Sequence, residues 1–104
     1  LDNLCGIVAV HGVQLDGPTK PIMNVEPVAD KFRAFNWNVI EIDGHDLDQV
    51  SDAFESAAKF KGAPSVIVPR CVKGKGVSFM EGTCAWHGAA PNAEQLAKAL
   101  EEIR

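Results

Sequence analysis

Three short apolar runs, separated by stretches of helical periodicity, constrain this sequence more than any other feature. The runs cover residues 4–10, 38–42 and 65–68. The first is apolar almost without interruption, which is typical of a strand buried on both faces. Because such runs alternate with helical patterns, the sequence predicts an α/β fold with a small parallel β-sheet and flanking helices. We expect residues 1–104 to form a single domain.

Three helices are predicted between and after these runs. The first covers residues 27–35 and begins at Pro27, a residue that suits the first helical position. The second covers residues 47–60 after the capping pair Asp46 and Gln49, and its predicted buried face comprises Leu47, Val50, Phe54 and Ala57. The third follows the capping pair Asn92 and Gln95, and its predicted apolar face comprises Leu96, Leu100 and Ile103.

The remaining segments are predicted to be loops. Residues 14–23 contain the turn sequence Asp-Gly-Pro, and residues 72–91 form a long glycine-bearing loop. Pro69 is expected to limit the pairing of the third strand. A sheet of three strands is thin, so its first strand is expected to be an open edge that takes a partner.

Composition narrows the classes of function. The formal net charge is −4, which argues against nucleic acid or an anionic membrane as the main partner. No signal peptide and no long apolar run are visible, and the three cysteines are widely spaced. These features favour a cytoplasmic protein with reduced thiols.

Two loop motifs could carry chemistry. Residues 73–76 read Lys-Gly-Lys-Gly, which could cradle a phosphate or could be a flexible basic turn. Cys84 and His87 could act as a nucleophile pair or contribute to a zinc site, although further ligands are not apparent. His45 lies in a predicted solvated turn. His11 directly follows the first strand, where ligands often bind.

Several stretches together resemble the transketolase family. They are "LDNLCGIVAVHGVQLDGPT", "FRAFNWNVIEIDGHD", "VKGKGVSFME" and "WHGAAPN". In order and spacing they are similar to the C-terminal half of its thiamine-diphosphate-binding domain, especially in the N-terminal subunit of split transketolases. The resemblance implies half of a thiamine-diphosphate-binding fold and the transfer of a two-carbon ketol unit between sugar phosphates.

The resemblance also implies a cofactor, thiamine diphosphate, which is held through Mg²⁺ or Ca²⁺. It places the family's metal-binding asparagine at His11 and a metal-binding backbone carbonyl at Val13. Leu15 matches an apolar position that lines the cofactor. Imidazole at residue 11 departs from the family pattern, because Mg²⁺ and Ca²⁺ prefer oxygen ligands.

Two further stretches match the active-site side of the family. Lys73 and Gly74 match the loop that leads into the active site. His87 matches a histidine near the cofactor diphosphate and the donor substrate, and it is the predicted catalytic residue.

The resemblance further implies that this chain is inactive alone. The family's Gly-Asp-Gly metal motif and the domain with the activating glutamate are absent from the 104 residues. We therefore expect either complementing transketolase segments or a homo-oligomer as partners. The alternative is a stand-alone, non-catalytic α/β remnant that self-associates and binds a protein partner or a small anion.

Overall fold

The computed structural model describes residues 1–103. The described chain divides into two compact units. Residues 1–10 and 25–71 form the sheet unit, and residues 11–24 and 72–103 form the loop unit. In chain order the elements are β1 (Cys5–Ile7), β2 (Val13–Gln14), β3 (Gly17–Pro18), α1 (Thr19–Ile22), α2 (Val28–Ala34), β4 (Asn38–Asp43), α3 (Leu47–Lys59), β5 (Ser65–Arg70) and α4 (Ala93–Glu102).

The sheet unit contains a three-stranded parallel sheet in the order β1-β5-β4. This architecture confirms the predicted small parallel sheet with flanking helices. Residues 65–69 of the central strand are buried, as expected for a strand with neighbours on both sides. Val28, Val66 and Val68 form the centre of the core. Trp37 packs against that core and meets Phe32 edge to face, at 5.3 Å between ring centroids.

The first strand is shorter and more exposed than the sequence predicts. Ile7 retains 57% of its exposure, because β1 lies at one edge of the sheet and has a single neighbour. The pairing with β5 resumes at Val10 after a gap at residues 8 and 9. The predicted open edge is therefore present, whereas burial of this strand on both faces is wrong.

Pro69 explains the gap, so it limits the pairing of this strand as predicted, although β5 continues through it to Arg70. Val8 donates to the Ile67 carbonyl and Val10 donates to the Pro69 carbonyl, both at 2.9 Å. The intervening bond would need an N–H on Pro69, and proline has none. On its other side Pro69 still lies opposite Ile42 in the pairing with β4. The loss therefore falls on the edge strand.

Helix α3 begins where predicted but buries only part of its predicted face. The Asp46 side chain accepts from the N–H groups of Asp48 and Gln49, so the predicted cap is confirmed. Ala53 and Ala57 are buried, whereas Leu47 is 81% exposed and Phe54 is 49% exposed. The helix thus packs on the sheet through its small residues. Its larger apolar side chains are covered only in part, or hardly at all at Leu47, within the described part of the chain.

The loop unit holds two short elements that the sequence does not predict. The segment expected to be a loop forms the hairpin β2–β3 and the single turn α1. Helix α4 has the predicted capping box between Asn92 and Gln95. Its predicted apolar residues Leu96 and Leu100 remain 48% and 41% exposed. Neither unit has a described helix that is long and apolar enough to span a membrane.

Candidate functional site

The hairpin β2–β3 determines the backbone around His11. Gly17 is buried and has φ of +146°, a conformation that favours glycine and closes the two-residue turn after Gln14. At the open end of the hairpin, the Gly12 carbonyl accepts from both the N–H (2.9 Å) and the hydroxyl (3.2 Å) of Thr19. Gly12 itself has φ of +72°. These contacts fix the direction of the peptide that follows.

This geometry leaves the Val13 carbonyl available. Because Thr19 donates to the Gly12 carbonyl, the next pair, Val13 and Pro18, is a non-hydrogen-bonded pair, and its backbone groups point away from the facing strand. The Val13 N–H instead donates to Nδ1 of His11 at 3.4 Å. His11 is exposed and Val13 is half-buried. A backbone carbonyl oxygen and one imidazole nitrogen, Nε2, thus remain without partners among the described residues.

The Lys-Gly-Lys-Gly loop is shaped by a close backbone approach. Gly74 has φ of +74°, and a Cβ at this position would lie 2.6 Å from the Met80 carbonyl oxygen. The Lys73 carbonyl accepts from the Gly82 N–H at 2.8 Å, which closes the loop. Gly74 is therefore required by the fold of the loop itself. Its predicted role toward a cofactor stays a prediction.

Carboxylates of the same unit occupy backbone donors in this loop. The Gly76 N–H donates to Glu81 at 3.0 Å, and the Lys75 ammonium lies 3.7 Å from the same carboxylate. Both the N–H and the hydroxyl of Ser78 donate to Glu102. These two hydrogen bonds lower the pKa of Glu102. The loop is thus ordered by internal anions, while the Lys73 ammonium has no described partner.

Trp86 anchors the chain just before His87. Its indole N–H donates to the Phe79 carbonyl at 3.2 Å, and the two rings meet edge to face at 5.5 Å. The His87 N–H donates to the Cys84 carbonyl at 3.0 Å. The imidazole of His87 is exposed and has no partner among residues 1–103. The tryptophan therefore orders this turn and presents the histidine to solvent.

The structure places every predicted site residue in the loop unit. Within the described chain, no hydrogen bond or ion pair joins His11, Lys73 and His87 to one another. Leu15 is 59% exposed at the tip of the hairpin. The residues thus share one unit, but each is held by its own local contacts.

The alternative chemistries find no geometric support in the described residues. The thiol of Cys84 and the imidazole of His87 share no hydrogen bond, and no group of three or more potential metal ligands occurs among His, Cys, Asp and Glu. His45 is exposed in the turn after β4, as predicted. A nucleophile pair or a zinc site is therefore not formed by residues 1–103.

Sequence reasoning missed two residues of this unit. Thr19 holds the Gly12 carbonyl with two hydrogen bonds, and its position directly after the Asp-Gly-Pro turn could have indicated this role. The Gln14 side-chain nitrogen is buried and has no hydrogen-bond partner in the described chain. Since buried donors normally have partners, Gln14 marks a place where a further acceptor is needed.

Comparison with known proteins now identifies the family. Residues 1–103 match the model described as transketolase, thiamine diphosphate binding domain. The chain belongs to the transketolase family. It is 36% identical over 103 residues to an apulose-4-phosphate transketolase subunit of Phocaeicola vulgatus, and 41% identical over 103 residues to the 6-deoxy-6-sulfo-D-fructose transketolase subunit SqwG of a Clostridium species.

Solved transketolases share the fold. The enzyme of Campylobacter jejuni superimposes with a TM-score of 0.88 at 29% identity, over 98% of this chain and 16% of that one. The alignments with the two split-transketolase subunits cover 99% of this chain but only 37% and 38% of theirs. The chain thus spans a little over a third of the length of those subunits.

Proposed function

We propose that this chain forms the part of a transketolase thiamine-diphosphate site that carries the β2–β3 hairpin and the loop from Lys73 to His87. The family match supports thiamine diphosphate as the cofactor. The observation that carries the proposal is the presence of all the predicted site residues in one unit, with the Val13 carbonyl and the His87 imidazole unpartnered. The reaction is ketol transfer between sugar phosphates.

Each residue has a definite task in this proposal. Thiamine diphosphate, when bound, supplies the carbanion chemistry. The exposed Leu15 side chain offers an apolar contact to the cofactor. Lys73 brings an unpaired ammonium and Gly74 an accessible backbone to the diphosphate side. His87 holds or donates a proton near the donor substrate, which its exposed and unpartnered imidazole permits.

Only one of the two predicted ligands suits Mg²⁺ or Ca²⁺. The Val13 carbonyl is an oxygen donor of the kind that Mg²⁺ and Ca²⁺ take. His11 offers an imidazole nitrogen instead, and one of its two nitrogens already accepts from Val13. Since hard cations bind oxygen in preference to imidazole, His11 does not suit Mg²⁺ or Ca²⁺. The proposal therefore involves no step through the metal.

We further propose that these 104 residues are inactive alone and work with complementing transketolase segments in the cytoplasm. No Gly-Asp-Gly sequence occurs among them. The unpaired, buried Gln14 nitrogen supports an incomplete site. Two relatives are themselves named as transketolase subunits, which is consistent with assembly from more than one chain.

Calorimetry tests the cofactor site directly. We expect no measurable heat when thiamine diphosphate and Mg²⁺ are titrated into this chain. After His11→Asn, which restores an oxygen ligand, binding should strengthen once complementing segments are present. His45→Asn is the matched control, because it makes the same change of side chain at an exposed turn after β4, outside the proposed site. Micromolar binding by the unmodified chain alone would contradict the proposed incomplete site.

A second candidate function is a non-catalytic remnant that self-associates or binds a protein partner or a small anion. The observation that favours it is the number of exposed large apolar side chains, such as Phe35 at 78% and Leu47 at 81% exposure. Isolated monomers seldom expose much contiguous apolar surface. Sedimentation should show an assembly at high concentration, and a clean monomer would count against self-association.

A further inference from the structure

A cleft in the loop unit lies between the long glycine-bearing loop and helix α4. Its volume is about 400 Å³, which falls in the usual range for small-ligand sites, about 300–1,000 Å³. Its lining residues are Phe79, Trp86, Asn92, Glu94, Gln95 and Lys98. None of them belongs to the site proposed above for thiamine diphosphate, so the function of the cleft is open.

The loop side of the cleft is aromatic. The rings of Phe79 and Trp86 meet edge to face, with 5.5 Å between their centroids. The indole N–H of Trp86 donates to the Phe79 carbonyl at 3.2 Å, which fixes the orientation of the larger ring. The face of an aromatic ring is electronegative, so it attracts polarised C–H groups such as those of a sugar. Trp86 thus offers a fixed platform for a small molecule.

The helix side of the cleft carries hydrogen-bond donors at intervals of three residues, at Asn92, Gln95 and Lys98, and consecutive donors are therefore neighbours on the helix surface. The capping box uses both amide oxygens, because each amide accepts from the other residue's backbone N–H at 2.9 Å. The amide nitrogens have no hydrogen-bond partner among residues 1–103. Capping thus holds two side-chain NH₂ groups with all their N–H donors free.

One positive and one negative side chain complete the cleft. The Lys98 ammonium lies 5.4 Å from the centroid of the Phe79 ring and forms no ion pair within the described chain. Glu94 also has no described partner and can accept from a hydroxyl group. A ligand with several hydroxyls and a single anionic group matches this set. A nucleoside di- or triphosphate would bring more negative charge beside Glu94 than one ammonium compensates.

We propose that this cleft binds a sugar monophosphate. The carbon skeleton of the sugar packs on Trp86, and its hydroxyl oxygens accept from the amides of Asn92 and Gln95. One hydroxyl donates to Glu94, and the phosphate accepts from the Lys98 ammonium. The phosphate contact is the strongest of these, because hydrogen bonds between charged groups exceed those between neutral groups.

Nuclear magnetic resonance of the two indole N–H groups tests the proposal without any thiamine diphosphate. The probe is D-fructose 6-phosphate, and D-fructose and inorganic phosphate are titrated separately. We expect the Trp86 resonance to shift saturably with the sugar phosphate and only weakly with either half. Trp37, which packs against the core of the sheet unit, should not shift. No shift at Trp86, equal shifts at both tryptophans, or an equal response to inorganic phosphate alone would overturn the proposal.

Three variants assign the contacts. Lys98→Met keeps an apolar stem over Phe79 but removes the charge, and it should weaken binding about tenfold. Lys61→Met is the matched control, since it removes one positive charge from an exposed site in the sheet unit, and it should leave binding unchanged.

Gln95→Glu preserves the capping box but removes the amide donors, so it should weaken binding by at least about fivefold without loss of helix α4. Equal affinities of the Lys98 and Lys61 variants would contradict the phosphate contact. Because the cofactor is absent throughout, failure of this test is distinguishable from failure of the proposed thiamine-diphosphate site.

Discussion

The sheet unit and the loop unit are stabilised in different ways. The sheet unit buries the whole of residues 65–69 together with Val28, Ala29, Ala53 and Ala57. Among the described residues of the loop unit, only Gly17 and Ala99 are buried. Hydrogen bonds from the Gly76 and Ser78 N–H groups to the carboxylates of Glu81 and Glu102 order the loop unit instead. The predicted site residues therefore lie where local hydrogen bonds, and not a core, determine the structure.

The largest expected effect is a loss of stability in the sheet unit, and it should differ between the two members of one residue pair, one buried and one exposed. Ile67 is 2% exposed and lies opposite Ile7, which is 57% exposed. Ile67→Ala should lower the free energy of unfolding by about 2–5 kcal/mol, because it leaves a cavity in the core. Ile7→Ala, the matched control, should change it by no more than about 0.5 kcal/mol. Denaturant unfolding measures both, and equal losses would mean that the edge strand is part of the core.

A glycine substitution should affect the loop unit alone. Gly74→Ala combines an unfavourable φ with a clash against Met80, so it should destabilise the loop by more than about 1 kcal/mol. Gly82→Ala provides the control, since Gly82 has φ of +67° but open space around its Cβ position. The difference between the two variants isolates the clash.

Amide exchange in residues 72–82 measures this loss. The exchange of Val66 and Val68 should stay as it is in the unmodified chain. If Gly74→Ala also accelerates exchange of these core valines, then the loop supports the sheet and the contrast between the units is wrong.

Removal of a helix cap should have a smaller effect, and the two caps allow the sheet unit and the loop unit to be compared again. Asn92→Ala removes the capping box of α4 and should cost about 1 kcal/mol of helix stability. Asp46→Ala removes the cap of α3. We expect the Asp46 variant to lower the thermal midpoint of the sheet, whereas the Asn92 variant should only increase exchange within α4. Identical effects on the thermal midpoint would show a single cooperative transition.

The smallest effect is a pH dependence in the loop unit. Ser78 lowers the pKa of Glu102 from its ordinary value of 4.5. Since the folded pKa is depressed, the contact stabilises fully above the unfolded pKa and is lost as the pH falls through the lower folded value. The Ser78 amide resonance should report this transition below pH 4.5. Glu102→Gln should abolish it, and a midpoint at or above 4.5 would contradict the assignment.

The sequence predicts local features better than burial. The alternation of apolar runs with helical patterns correctly indicated a parallel sheet with flanking helices, and the capping pairs at Asp46 and Asn92 are both present. These signals depend only on residues that are close together in the sequence. The large apolar residues predicted to be buried on α3 and α4 are mostly exposed, although Ala57 is buried as predicted, because burial depends on which other elements cover a helix.

The same distinction between local features and long-range contacts applies to the predicted site. Motif resemblance located His11, Val13, Leu15, Lys73, Gly74 and His87, and all lie in one unit. It could not show that Glu81 and Glu102 already occupy backbone donors of the basic loop, or that Thr19 holds Gly12. Such contacts join residues with no fixed spacing in the sequence, so only the folded backbone reveals them.

The hydrogen bond from Val13 to His11 also selects a tautomer. A neutral imidazole that accepts at Nδ1 carries its proton on Nε2. The side chain therefore presents a hydrogen-bond donor toward solvent, where a metal ligand would need a lone pair. A cation at this position would require the proton to move to Nδ1 or the ring to turn away from Val13, and either change breaks the hydrogen bond from the Val13 N–H.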